Sequence, residues 1–373
     1  MKRIPRETAL LGVSDALRLF PFAFAVGVCS PFGTAGACMT AAVALLFGVV
    51  CRLAFVPTYL ALLPVFTVAY RFGAAGACAA VLLGGICIFL LSLLPRSVRD
   101  ALHAPAVRAV FLIAAAFSTT ALQTTLYFGI GAVGGTVPQI LRDYVSLGFH
   151  PNWRGILYGT IVMVVLITYP RKFKKLSRIL PAAFAALVVT LPLHLLLVRD
   201  AAHSPVAEIG AFSVLQLPDG AFLRGDFSAS ALPLILCSAL SFALIVSAGL
   251  PDGAARSLSA ASVCGGFLGA APMQTDGMPR ARKSAWIAVP LTALLFFVPG
   301  LKRTPVPCLA VILIVTAWQS VDWSAAKRAF TARRFPFFIC AAVLPVLLGI
   351  HYAVPLLCLL GAAENRLDQK TSV

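Results

Sequence analysis

The feature that most limits what this chain can become is a succession of apolar runs, each close to membrane-spanning length. A helix of about 20 apolar residues crosses the hydrocarbon core of a bilayer. Such runs recur from residue 16 to residue 363 with short polar connections between them. Only 12% of residues are charged and 60% are hydrophobic, against a charged share of about 25% in soluble domains. Lipid cannot solvate backbone N–H and C=O groups, so segments of this kind fold as helices that satisfy themselves. The expected fold class is an all-α polytopic membrane protein whose surroundings are the lipid bilayer. The first run follows Lys2, Arg3 and Arg6. With so many runs behind it, it reads as a retained helix and not as a cleaved signal peptide.

The net charge of +17 does not point to nucleic acid. The basic residues form short clusters between apolar runs: Arg171, Lys172, Lys174 and Lys175; Arg280, Arg282 and Lys283; Lys327, Arg328, Arg333 and Arg334. Cytoplasmic loops carry such clusters. If both termini are cytoplasmic, most of the 30 Lys and Arg residues fall on the inner side, Arg18 counted among them. Lys302 and Arg303 are the clear exceptions. The expected location is a bacterial cytoplasmic (inner) membrane.

The ten cysteines are scattered singly, with no CxxC and no His at ligand spacing. They read as small packing residues, so no metal and no cofactor is expected. GxSxG, HExxH and P-loop motifs are all absent, so no enzyme is expected.

The runs divide into fourteen segments in two sets of seven. The first set is 16–34, 35–50, a short 55–70, 74–94, 105–128, 153–169 and 179–198. The second is 230–250, 258–270, a short 275–284, 285–299, 304–320, 335–349 and 351–363. Residues 1–198 then form one membrane repeat and 230–373 the other, joined by a loop over 199–229. The third segment of each set begins at a proline-containing break: Val56, Pro57 and Thr58 in the first, and Pro272 to Pro279 in the second. The second break also holds Gln274, Thr275, Asp276 and Gly277, with Arg280 just beyond it. A polar interruption at membrane depth is tolerated only where protein or a watery cavity surrounds it. Matching interruptions in two halves point to a transporter binding site.

Several motifs resemble those of the sulfate permease family of anion transporters. Ile209-Gly210 followed by Leu217-Pro218-Asp219 is similar to the family's "I-G…P-S-L-P-D" linker. Gly265-Gly266-Phe267-Leu268-Gly269-Ala270-Ala271-Pro272, followed by Thr275, resembles "S-G-L-F-G-G-L-P-A-T-G-S-L-S-R-S". With one inserted residue, Arg280 falls on that motif's arginine. Thr304-Pro305-Val306-Pro307 onward, with Val321-Asp322-Trp323, resembles "I-P-L-A-A-L-A-A-I-L-I-V…I-D-W". The resemblance implies a 7+7 inverted-repeat fold, with a core domain (16–94 and 230–299) and a gate domain (105–198 and 304–363). It implies an anion held between the N-termini of two short half-helices. The family's cytoplasmic STAS domain has no counterpart in this sequence. Its eighth-span acid is replaced around Ile245-Val246-Ser247.

Candidate substrate-binding residues follow. Pro57, Thr58 and Tyr59 begin the first half-helix. Thr275, Asp276, Gly277 and Arg280 belong to the second break, and Ser247 is a polar wall residue of the eighth span. Asp276 reads as a half-helix N-cap, as a partner for a coupling H+ or Na+, or as both. Arg280 reads as an anion contact or as an inner-face topology residue. His194 is expected to be packed near the outer face. The expected function is secondary transport of a small inorganic or organic anion (sulfate, bicarbonate or a carboxylate) by elevator-like alternating access. A nucleobase permease of the same fold and a non-transporting membrane scaffold remain open, as does a homodimer.

Overall fold

The computed structural model describes residues 6–102, 105–130, 136–198, 206–209, 230–247, 250, 252–279, 282–298, 300–324, 327, 339 and 343–371. The first half of the chain comprises α1 (Arg6–Val28), α2 (Gly33–Cys51), a short strand β1 (Leu53–Pro57) and α3 (Tyr59–Leu93). It continues through α4 (Arg96–Leu102), α5 (Pro105–Phe128), α6 (Val137–Leu147), α7 (Trp153–Lys172) and α8 (Ala182–Leu197). The second comprises α9 (Leu232–Ser247), α10 (Asp252–Leu268), strand β2 (Met273–Pro279), α11 (Arg282–Phe296), α12 (Val306–Gln319) and α13 (Ile350–Thr371). Among the described residues, Glu7–Val28, Gly33–Cys51, Tyr59–Leu93, Phe111–Phe128 and Trp153–Lys172 are long and apolar enough to cross a membrane. The chain is a multi-pass membrane protein.

The two proline-containing breaks meet each other. β1 and β2 pair antiparallel, with Phe55 opposite Thr275, Val56 opposite Gln274 and Pro57 opposite Met273. The Thr58 N–H extends the ladder to the Pro272 carbonyl at 3.1 Å. Backbone groups that leave a helix inside a membrane need partners, and each break supplies them to the other. This pairing joins the two halves of the chain.

Around it the repeats exchange helices. α3 packs on α9 and α10, and α11 packs on α1 and α2. Close approach of α3 to α10 depends on missing side chains. A Cβ at Gly85 would lie 2.8 Å from the Val263 backbone nitrogen, and the Ser259 hydroxyl donates to the Gly85 carbonyl at 2.7 Å. Small residues at such crossings bring backbones together where lipid offers no hydrophobic drive. A second group, α5, α7, α8 and α12, is linked by the α12 contacts with α5 and α7 and by α7 against α8.

Element boundaries differ from expectation in several places. α3 spans the expected third and fourth segments as one 35-residue helix, bent where Gly73 takes φ 67° and ψ −163°. α6 is an additional helix between the expected fifth and sixth segments. The largest difference lies in the second break. Residues 275–284 were expected to form a short helix, yet Met273–Pro279 is strand, and the helix that follows starts at Arg282. Pairing with β1 takes the backbone groups that a helix would have used. The expected segment at 335–349 lies mostly outside the described residues, as does most of the 199–229 loop.

Candidate functional site

A cavity of about 230 Å³ opens beside the strand pair. Its walls are Arg18, Phe22 and Val26 of α1, Val56 and Pro57 of β1, Thr58, Tyr59 and Leu60 at the start of α3, Gln274 of β2, and a face of α12. That face carries Thr316, Gln319 and Ser320.

The start of α3 is the most polar part of this wall. Thr58 occupies the N-cap position with extended backbone, φ −129° and ψ 125°, but its side chain makes no cap hydrogen bond. The first N–H groups of a helix have no intrahelical acceptor. Here the residue best placed to cap them leaves them open. The Thr58 side chain is 6% exposed, borders the cavity and is without a hydrogen-bond partner among the described residues. The positive end of the helix dipole therefore reaches the cavity. Tyr59 is fixed from behind: the Gln123 side-chain amide of α5 donates to the Tyr59 hydroxyl at 2.5 Å.

On α12, the Thr316 hydroxyl donates to the Ile312 carbonyl at 2.6 Å, and the Ser320 hydroxyl to the Thr316 carbonyl at 2.8 Å. Their oxygens remain available as acceptors. Arg18 is the one charged side chain among the described residues that line the cavity. It also borders a smaller adjoining cavity of about 50 Å³, together with Asp15 and Phe55.

Of the expected site residues, the fold brings Pro57, Thr58 and Tyr59 to this cavity. Thr275 is buried and pairs with Phe55. Alternation along β2 gives the cavity to Gln274 instead. Asp276 and Gly277 lie within β2. Asp276 is therefore no helix N-cap, since the next helix begins at Arg282. Arg280 lies outside the described residues. Ser247 ends α9, its hydroxyl 3.5 Å from the Leu244 carbonyl, and does not border the cavity.

The expected pair of opposed half-helix ends is reduced to one. The helix after β2 packs on α1 and α2, as the part of α3 beyond Gly73 packs on α9 and α10. Only residues 280 and 281 separate it from the strand, which leaves no room for a counterpart of residues 59–72.

Sequence reading placed Gln274 in the second break without choosing it as a contact, and it missed Arg18, Gln123 and the α12 hydroxyl face. The available signal for Arg18 was its position, since it is the only charged residue in the run 16–34. Gln123 likewise interrupts an apolar run. His194 is fully buried as expected, but it is not a lone packed residue. Its Nε2 lies 2.7 Å from Glu208 Oε1, and Arg303 Nε lies 3.5 Å from Glu208 Oε2.

No family model and no curated protein sequence matches the chain. Solved structures do. The transmembrane domain of a cyanobacterium bicarbonate transporter, BicA, superposes with a TM-score of 0.74 at 18% identity, covering 94% of this chain and 97% of that one. The chain shares their fold. SLC26A9 gives a TM-score of 0.73 at 13% identity, over 97% of this chain and 64% of that one. The murine Slc26a9 anion transporter in its inward-facing state gives 0.76 at 11%, over 100% of this chain and 69% of that one. The transmembrane-domain fold is thus shared, and at these identities the likeness concerns the fold.

Proposed function

We propose that this chain is a secondary transporter of a small anion, a divergent member of the sulfate permease type. The observation that carries the reading is the open N-terminus of α3, with the unpaired Thr58 hydroxyl, facing a polar cavity against α12. Unpaired N–H groups and a positive dipole end attract an anion through backbone groups alone. Binding of that kind is weak enough to release its cargo. The similarity in fold to two anion transporters supports the same reading.

In this proposal, residues 16–94 and 230–299 act as a core that carries the anion, and 105–198 with 304–363 act as a gate. The cavity lies where α1, β1 and α3 of the core meet α12 of the gate, which suits an elevator motion of one group against the other. Bicarbonate, sulfate and short carboxylates are the candidate cargoes, and the BicA name favours bicarbonate. Asp276 in the central strand is the proposed partner for a coupling H+ or Na+. A homodimer in a bacterial inner membrane, with cytoplasmic termini, completes the proposal.

The test is uptake of radiolabelled bicarbonate, formate, sulfate and uracil into proteoliposomes. Saturable uptake of any of the three anions that weakens in Thr58→Val supports the proposal. Uptake of uracil alone, or of nothing, refutes it.

A further inference from the structure

Arg18 is out of place for a membrane helix. It lies near the middle of the span Glu7–Val28, about 16 Å from either end at 1.5 Å per residue. A cation at that depth is costly in lipid and almost always faces a cavity or a partner. Arg18 is exposed, has no ion-pair or hydrogen-bond partner among the described residues, and borders the cavity at the start of α3. The sequence-level reading as an inner-face topology residue does not fit a side chain at mid-span.

The strand pair supplies the reason for a cation there. One repeat ends its break in a helix N-terminus at Thr58 and Tyr59, and the other runs from Pro279 almost directly into α11. Among the described residues no α11 side chain borders the larger cavity. One of two opposed dipole ends is therefore missing from the site. We propose that Arg18 takes its place as a direct anion contact, and that the site consequently selects a monovalent oxyanion over a divalent one. This inference rests on the anion-transport reading above.

The charges decide the selection. A helix end contributes roughly half a positive charge, and Arg18 contributes a full one. Together they offer about +1.5, roughly half a charge more than a monoanion needs and half a charge less than sulfate needs. Desolvation then decides, because its cost grows with the square of the charge and falls hardest on the dianion. Asp15, one turn earlier on α1, borders only the adjoining cavity, and its negative charge lowers the positive potential open to a dianion. The shape of the donors agrees. A guanidinium fork matches two coplanar oxygens, and the Thr58 hydroxyl is left to accept from the protonated third oxygen of bicarbonate.

Purified full-length protein in proteoliposomes tests both parts, with bicarbonate, formate and sulfate as probes. The wild-type protein is expected to favour bicarbonate or formate over sulfate at least tenfold in kcat/KM. Arg18→Gln should raise the KM for the monoanion about 10- to 100-fold, the range for a charge-assisted hydrogen bond. Arg18→Lys keeps the charge without the fork and should lie between. If Arg18→Gln is recovered poorly, Arg18→Lys and the wild-type selectivity still decide. An unchanged KM in Arg18→Gln or Arg18→Lys, or a wild-type preference for sulfate, overturns the inference while leaving anion transport standing. No transport of any anion by the wild-type protein defeats the underlying function instead.

Discussion

Replacing Gly73 with alanine separates backbone strain from packing. Gly73 joins residues 59–72 of α3 to the part that packs on α9 and α10, and it does so at φ 67° and ψ −163°. That combination is essentially confined to glycine and costs other residues about 1–3 kcal/mol. Contacts with the rest of the fold contribute nothing, because a Cβ built at Gly73 meets no atom beyond its local backbone within 4 Å. The alanine variant has two outcomes open to it. It can keep the bend and lose about 1–3 kcal/mol of stability. Alternatively it can relax the bend, and then the arm of residues 59–72 swings. At 1.5 Å per residue that arm is about 21 Å long, so a tilt of 20° would move its start by roughly 7 Å. Thr58 and Tyr59 would leave the cavity. The control is Gly253→Ala on α10, where a Cβ also meets nothing and φ is not positive. It should be neutral or stabilising by about 0.5 kcal/mol. Thermal unfolding in one detergent and anion KM in proteoliposomes read the two outcomes. Gly73→Ala matching wild type in both, or Gly253→Ala being the worse of the pair, would refute the assignment of the bend to glycine backbone freedom.

Other consequences are open to measurement. Thr58→Val should weaken anion binding about tenfold while barely moving the melting temperature, since its hydroxyl makes no cap bond; a loss of stability alone would return Thr58 to a capping role. Glu208→Ala should lower stability by about 1–3 kcal/mol, because it strips His194 and Arg303 of their shared partner. A fully stable variant would mean that this cluster contributes little. Gly85→Leu should prevent recovery of folded protein, as the added side chain meets the α10 backbone; a monodisperse, active variant would contradict the close α3–α10 crossing. Asp276→Asn should uncouple uptake from an imposed H+ or Na+ gradient and leave exchange intact, whereas unchanged gradient dependence excludes Asp276 from coupling.

Much of the architecture was legible because lipid makes composition decisive. A run such as 105–128 has no stable choice but a helix, and α5 occupies that span. The two proline-containing breaks were legible for the same reason, since irregular backbone at membrane depth must be sheltered. The conformation inside the second break was not. Pro272, Gly277 and Pro279 mark where a helix cannot run, but a local pattern does not reveal that another break, more than 200 residues away in sequence, will offer its backbone as a partner. The same blindness affected the site. Thr58 was readable as the start of a helix. Gln274 over Thr275 depends on which strand face meets the cavity, and the polar residues of α12 that face it, Thr316, Gln319 and Ser320, cluster at the end of an otherwise apolar helix.

Sequence by itself determined that this chain is a multi-pass membrane protein, and that proline-containing breaks at 56–58 and 272–279 interrupt its apolar runs. Those follow from transfer energies and backbone chemistry, which act residue by residue. Tertiary structure decided that the interruptions pair as strands, that one helix end instead of two reaches the cavity, and that Arg18 stands beside it at mid-span. Each of these depends on which distant groups come to face one another. Neither the period nor the composition of a single segment carries that information.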